Sequence, residues 1–273
     1  MKTRFFLSLF LLAFAFSQAQ SVQRPLCIGE VHRIYSNVLK QERRLNIYLP
    51  INYIKGNKYP VVYLLDGSIH EDFMHIVGLV QFYNMQFTMP ECIVVGIVNV
   101  DRKHDFTFHT DAEDLQAEFP SSGHSAAFIE FIETELQPFV QRNFAWNGQK
   151  MLIGQSLGGL LACEILLKRP QLFTDYLIVS PSLWWDNESL LNNAATLLNQ
   201  HNDMQQPTSI YIAVGGDEHP TTKKEAKKFV SVLEKNNNPN YSITYLLLKD
   251  ENHASILHQS VSDIFKLMYP LKE

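Results

Sequence analysis

A chain of 273 residues that is 46% hydrophobic and 19% charged, with 12 Gly and 12 Pro, has the balance of an ordinary folded protein; disordered and collagen-like classes are excluded. Lys and Arg total 23 against 28 Asp and Glu, a formal charge of −5, and without basic runs the chain offers little to neutralise nucleic-acid phosphates. The length suits one α/β domain with a substantial buried core.

In chain order, the first residues stand apart. Lys2 and Arg4 precede an apolar run from Phe5 to Phe16, and small Ser17 and Ala19 occupy the −3 and −1 positions of a cleavage site before Gln20. This pattern predicts an export signal over residues 1–19, leaving residues 20–273 as a periplasmic or secreted catalytic domain of charge −7. No other stretch approaches the ~20 apolar residues of a membrane span, so no stable insertion is expected after cleavage. Three cysteines, Cys27, Cys92 and Cys163, allow at most one intramolecular disulfide.

Residues 31–50 read as strands, with Leu45, Ile47 and Leu49 alternating with Arg44 and Asn46 before Pro50. Short continuous apolar runs follow at Val61–Leu65, Ile93–Val98, Met151–Ile153, Tyr176–Val179, Ile210–Val214 and Ile243–Leu248, as parallel strands buried on both faces require. Between them lie helical stripes: Phe128, Phe131, Ile132, Leu136, Phe139 and Val140; Leu160–Leu167; Ala226, Phe229, Val230 and Leu233; and Leu257, Val261, Ile264, Phe265 and Met268. The alternation predicts a doubly wound, mostly parallel sheet flanked by helices. Lys223, Lys224, Lys227 and Lys228, interleaved with Glu225, read as a solvated helix face. Residues 99–124 and 180–190 show no clear regular pattern, and both begin at the carboxyl end of a strand, where such sheets bind ligands.

The sharpest chemical signal is Gly154-Gln155-Ser156-Leu157-Gly158-Gly159, which follows a strand and opens a helix. GxSxG in that context is the nucleophile elbow, a tight turn that exposes a serine hydroxyl; glycines at 154 and 158 avoid collision with neighbouring strand and helix. The base should lie after the last strand, which selects His253 over His258, a surface or packing residue. The acid should follow the penultimate strand, where Asp217 and Glu218 stand side by side, with His219 as a polar rim residue. Two backbone N–H donors would hold the oxyanion: Leu157, after the nucleophile, and Ser68, after the turn at Gly67. No metal or cofactor is expected, since His104, His109 and Asp111 fit no compact zinc spacing and serine chemistry needs none.

These residues, with Val62-Tyr63-Leu64-Leu65-Asp66-Gly67, Ser180-Pro181-Ser182-Leu183-Trp184-Trp185, Asn252-His253 and the Arg-x-x-Asp-hydrophobic-Thr segment from Arg102, resemble the esterase-D-like branch of the α/β-hydrolases. The branch includes siderophore and feruloyl esterases, and the Trp-Trp segment points towards the siderophore-esterase-like members. The resemblance implies an α/β-hydrolase fold and an acid three residues beyond Gly215, which ranks Glu218 above Asp217. Trp184 and Trp185 could stack an aromatic acyl group or cover the sheet edge, and one tryptophan could do each. Arg102 could bind an anionic substrate group, but an ion pair with Asp105 is the better account.

The expected function is an exported serine esterase acting on a small-molecule carboxylic ester through an acyl-enzyme. Acyl transfer shares the first half-reaction. An inactive hydrolase-fold binding module would have lost the serine or the histidine, and both are present.

Overall fold

Runs rich in Val, Ile, Leu and Tyr form strands because branched and aromatic side chains suit a pleated surface buried between layers. The computed structural model describes residues 24–201 and 203–272; the export-signal expectation for residues 1–19 lies outside them. The strands are β1 (Glu30–Ser36), β2 (Gln41–Tyr48), β3 (Tyr59–Leu64), β4 (Ile93–Ile97), β5 (Trp146–Gln155), β6 (Asp175–Val179), β7 (Thr208–Gly215) and β8 (Tyr241–Leu248). Among the described residues they make one eight-stranded sheet in the order β1-β2-β4-β3-β5-β6-β7-β8. The β1–β2 and β2–β4 pairs are antiparallel, and every other pair is parallel. All residues of β3, β4 and β6 are buried, whereas edge strand β1 is mostly exposed or half-buried. From β3 the chain goes first to β4 on one side and later to β5 on the other, so the carboxyl ends of β3 and β5 flank the crevice of an open sheet.

Helices cover both faces. Helices α1 (Phe73–Gln86) and α9 (Ile256–Met268) bury Phe73, Ile76, Val80, Ile264 and Phe265 against one side. The other side carries α4 (Ser125–Phe131), α5 (Gln137–Phe144), α6 (Leu157–Lys168), α7 (Trp185–Asn199) and α8 (Pro220–Asn236). A π-type turn at Ile132–Leu136 joins α4 to α5 just before Pro138, which has no N–H to return to the preceding turn.

Several expectations are corrected. Residues 99–124 contain two short helices, α2 (Arg102–Phe106) and α3 (Glu113–Glu118). Helix α7 begins inside 180–190, but Asp186, Asn187 and Glu188 take left-handed φ values of 49°, 52° and 60°, which hides its first turn from a periodic pattern. Glu225 is not on a solvated face: it is buried against α7, and desolvation, then the charge of Glu188, raises its carboxyl to about 7. Lys223 donates to the Gly216 carbonyl at 2.6 Å, and Lys228 bridges Glu188 and Asn192. All three cysteines are free. Among the described residues no helix is long and apolar enough to cross a membrane.

One buried ion pair pins α2 to the sheet. Arg43 Nη1 donates to Asp105 Oδ2 at 2.7 Å with both side chains sealed from solvent, and the guanidinium lies 5.1 Å from the Phe128 ring centre. Removing one partner would leave an uncompensated buried charge. Arg43→Ala is therefore expected to cost about 3–5 kcal/mol, read by urea unfolding; a loss below about 1 kcal/mol would contradict this account.

Candidate active site

The elbow forms because the chain must turn from β5 into α6 with no room to spare. A Cβ on Gly154 would lie 2.4 Å from the Gly158 carbonyl oxygen, so only glycine fits. At Gly158 the nearest atom would be 3.4 Å away, an ordinary contact, so the expected steric need there is absent. Ser156 takes φ 59° and ψ −118°, a strained conformation for a residue with a side chain, and its own N–H and C=O hold it: Ser156 N–H donates to Val179 O at 3.0 Å, and its carbonyl accepts from Leu160 and Ser182 N–H.

His253 sits after β8 in a turn shaped by Asn252, whose Oδ1 accepts from the Ala254 N–H at 2.9 Å. Gln155 Nε2 donates to the His253 carbonyl at 2.5 Å, tying this turn to the elbow. His253 Nδ1 lies 3.0 Å from Glu218 Oε2, which leaves Nε2 as the ring nitrogen directed elsewhere. Glu218 Oε1 accepts from Ser180 Oγ and, at 3.1 Å, from the Gly215 N–H. Of the two adjacent carboxylates only Glu218 reaches the imidazole. Asp217 differs: its backbone N–H donates to Glu251 O at 3.0 Å, and among the described residues no hydrogen bond joins its side chain to His253. His219 caps α8, its Nδ1 accepting from the Thr221 N–H, and His258 packs its ring 3.8 Å from that of His75.

Serine and histidine are on neighbouring loops but not joined. Ser156 Oγ lies 3.3 Å from Ser182 Oγ, and no hydrogen bond links it to His253 among the described residues. Ser180 and Ser182, which the sequence reading did not single out as site residues, both touch the constellation. The signal was in the Ser180-Pro181-Ser182 segment itself.

The remaining candidates divide. Leu157 opens α6, where the first N–H groups have no intrahelical acceptor. The Ser68 N–H is not open: it donates to Glu71 Oε2 at 3.2 Å. Arg102 does not pair with Asp105. Its Nε and Nη2 donate to Asp66 Oδ1 and Oδ2 at 2.6 and 3.0 Å, and Nη2 also reaches the Gln155 carbonyl at 3.1 Å. Asp105 is taken by Arg43 and by His104 Nδ1 at 3.0 Å, while His104 stacks on His124. Thr107 closes the segment by donating to Lys103 O and accepting from the Gly123 N–H. Trp185 is corrected as a substrate contact, because it is fully buried and its Nε1 donates to Phe108 O at 2.9 Å. Trp184 is 38% exposed beside Phe119 and keeps a face available.

Burial alone would raise the Glu218 carboxyl, but hydrogen bonds from His253, Ser180 and the Gly215 N–H, with the His253 charge, outweigh it and hold the group below its ordinary value. A depressed carboxyl contributes stability above the unfolded value near 4.5 and loses it as pH falls through the folded one. Glu218→Gln should thus flatten the acid limb of the stability profile below that pH, measured by thermal melts from pH 3 to 7. An unchanged limb would contradict the assignment.

Comparison with known proteins agrees with this topology. The family model "Putative esterase" matches residues 36–259. Ferri-bacillibactin esterase BesA of Bacillus subtilis is 29% identical over 177 residues, 58% of this chain and 59% of BesA, so the match spans less than two thirds of that relative. Among solved structures, the BES protein from Bacillus cereus superposes with a TM-score of 0.81 at 28% identity, covering 90% of this chain and 98% of that one. An IroE-like serine hydrolase from Shewanella oneidensis gives 0.79 at 28% identity, over 88% and 79% of the two chains. With an eight-stranded, mostly parallel sheet and a family match over residues 36–259, the chain belongs to the esterase family of the α/β-hydrolase fold.

Proposed function

We propose that this protein is an exported serine esterase in which Ser156 is the nucleophile, His253 the general base and Glu218 the carboxylate that orients it. The observation that carries the reading is the His253–Glu218 contact at 3.0 Å beside a strained serine at the elbow. In the reaction, Ser156 Oγ attacks the ester carbonyl carbon while its proton passes to His253 Nε2. The carbonyl π pair moves onto oxygen, where the Leu157 N–H and a second backbone donor stabilise it. Collapse expels the alcohol, which takes the proton from His253; water then repeats the sequence on the acyl-enzyme and releases the acid. Glu218 holds Nδ1–H and stabilises the imidazolium without itself taking a proton. Attack requires Ser156 Oγ to turn from Ser182 towards His253, a side-chain rotation of the kind that closes catalytic hydrogen bonds on substrate binding.

The substrate proposed is an ester with an aromatic acyl group, of the catecholate-siderophore class. Two facts support it: Trp184 is 38% exposed and stands two residues beyond Ser182, whose hydroxyl lies 3.3 Å from Ser156 Oγ, and BesA is named a ferri-bacillibactin esterase. The signal-like pattern of residues 1–19 supports a periplasmic or secreted location.

Ser156→Ala and His253→Ala should each lower hydrolysis of a chromogenic short-chain ester by about 10³-fold or more, and Glu218→Gln by less. Turnover by Ser156→Ala near wild type would sink the mechanism. Trp184→Ala should raise KM for a catecholate ester and leave acetyl-ester KM unchanged; equal effects on both would remove the aromatic-substrate proposal.

A further inference from the structure

The donor best placed by topology to share the oxyanion with Leu157 is already occupied. Ser68-Ile69-His70-Glu71 forms the turn through which the chain passes to Asp72, the N-cap of α1. His70 N–H donates to Ser68 Oγ at 3.1 Å, Glu71 N–H donates to Ser68 O at 3.0 Å, and the Glu71 carboxylate returns to accept the Ser68 N–H at 3.2 Å. The other carboxylate oxygen is held as well: Asn99 Nδ2 lies 3.1 Å from Glu71 Oε1 and 2.6 Å from Asp66 Oδ1. Glu71 is thus clamped over the donor from two sides. Arg102 is engaged by Asp66, and among the described residues no ion pair neutralises Glu71. Burial, then Asp66 and Glu71, raise the adjacent Asp72 carboxyl to about 6 against the opposing pull of Arg102, so the negative field here is substantial.

A carboxylate and a developing oxyanion cannot share one N–H, and their like charges repel across the same few ångströms. We propose that Glu71 is a gate on the oxyanion hole: in the free protein its carboxylate covers the Ser68 N–H, and the hole is completed only when Glu71 swings out. This rests on the serine-esterase reading above. Glu71 is an exposed residue, so the swing takes its carboxylate into water and displaces no core side chain. The gate opposes turnover while its contacts with the Ser68 N–H and Asn99 hold the turn that precedes α1, and its removal therefore has effects of opposite sign on activity and stability. A purely structural turn contact would lower both together.

The test compares wild type, Glu71→Ala and Glu71→Gln by kcat/KM on p-nitrophenyl acetate, inhibition by phenylboronic acid and thermal midpoint. Boronate forms a tetrahedral adduct on a nucleophilic serine and reads the hole directly. Glu71→Ala should raise kcat/KM and tighten boronate by about 3–10-fold, below the effect of deleting a whole oxyanion donor, while its midpoint falls. Glu71→Gln keeps an acceptor for the Ser68 N–H and removes only the charge, so it should gain less and stay folded. If both variants match or fall below wild type in kcat/KM and boronate affinity, the gate is refuted. Were the wild type itself to show no turnover above a Ser156→Ala control, the esterase reading would fail instead, which separates the two claims.

Discussion

A single guanidinium ties together the two strand ends that flank the crevice. Arg102 grips Asp66 with two hydrogen bonds and the Gln155 carbonyl with a third, joining the end of β3 to the last residue of β5. Bidentate charge-assisted bonds are among the stronger polar contacts available to a protein, and this one is needed. On three sheet neighbours, β3, β5 and β6, the chain leaves through a non-glycine residue at positive φ: Asp66 at 55°, Ser156 at 59° and Ser180 at 42°. Each costs on the order of 1–3 kcal/mol and persists only where its surroundings over-determine it. Asp66 is held by Arg102, Ser156 by the Val179 carbonyl, and Ser180 by the Ala213 carbonyl and by Glu218.

The clamp is itself anchored. Arg102 is carried on α2, and α2 is fastened to β2 by the Arg43–Asp105 pair and to Gly123 through Thr107. This explains the Arg-x-x-Asp-hydrophobic-Thr pattern in physical terms. Arg102 reaches forward to the site, Asp105 reaches back into the core, Phe106 is fully buried between them and Thr107 ties off the turn. The same economy of placement appears at Glu218. Ser180, at the strained end of β6, directs its hydroxyl onto Glu218 Oε1, and Glu218 Oε2 lies 3.0 Å from His253 Nδ1.

What was legible in the sequence was what periodicity and chain order control. The strand runs predicted the parallel sheet, and Ser156, Glu218 and His253 follow β5, β7 and β8 in the order of those strand runs. Pairings between distant loops were not legible. Arg102 stands three residues from Asp105, and only the folded chain shows that Asp66 and Arg43 divide the two between them. Helix α1 has no clean stripe because Met74, Phe82 and Met85 are exposed on its outer side. The two tryptophans are adjacent in sequence, yet the turn of the chain buries one completely and leaves the other facing out. The covering of the Ser68 N–H by Glu71 was not legible in the letters, because it depends on how the turn between β3 and α1 folds back on itself.

The central claim is that the strained serine at the elbow is a nucleophile activated by His253. Its most direct measurement is intact-mass and peptide mass spectrometry after incubation of the folded protein with a fluorophosphonate. The account predicts one adduct per chain, mapped to Ser156, lost on prior denaturation and much slower in His253→Ala. Labelling spread over several serines, or none on Ser156 in the folded protein, would contradict it.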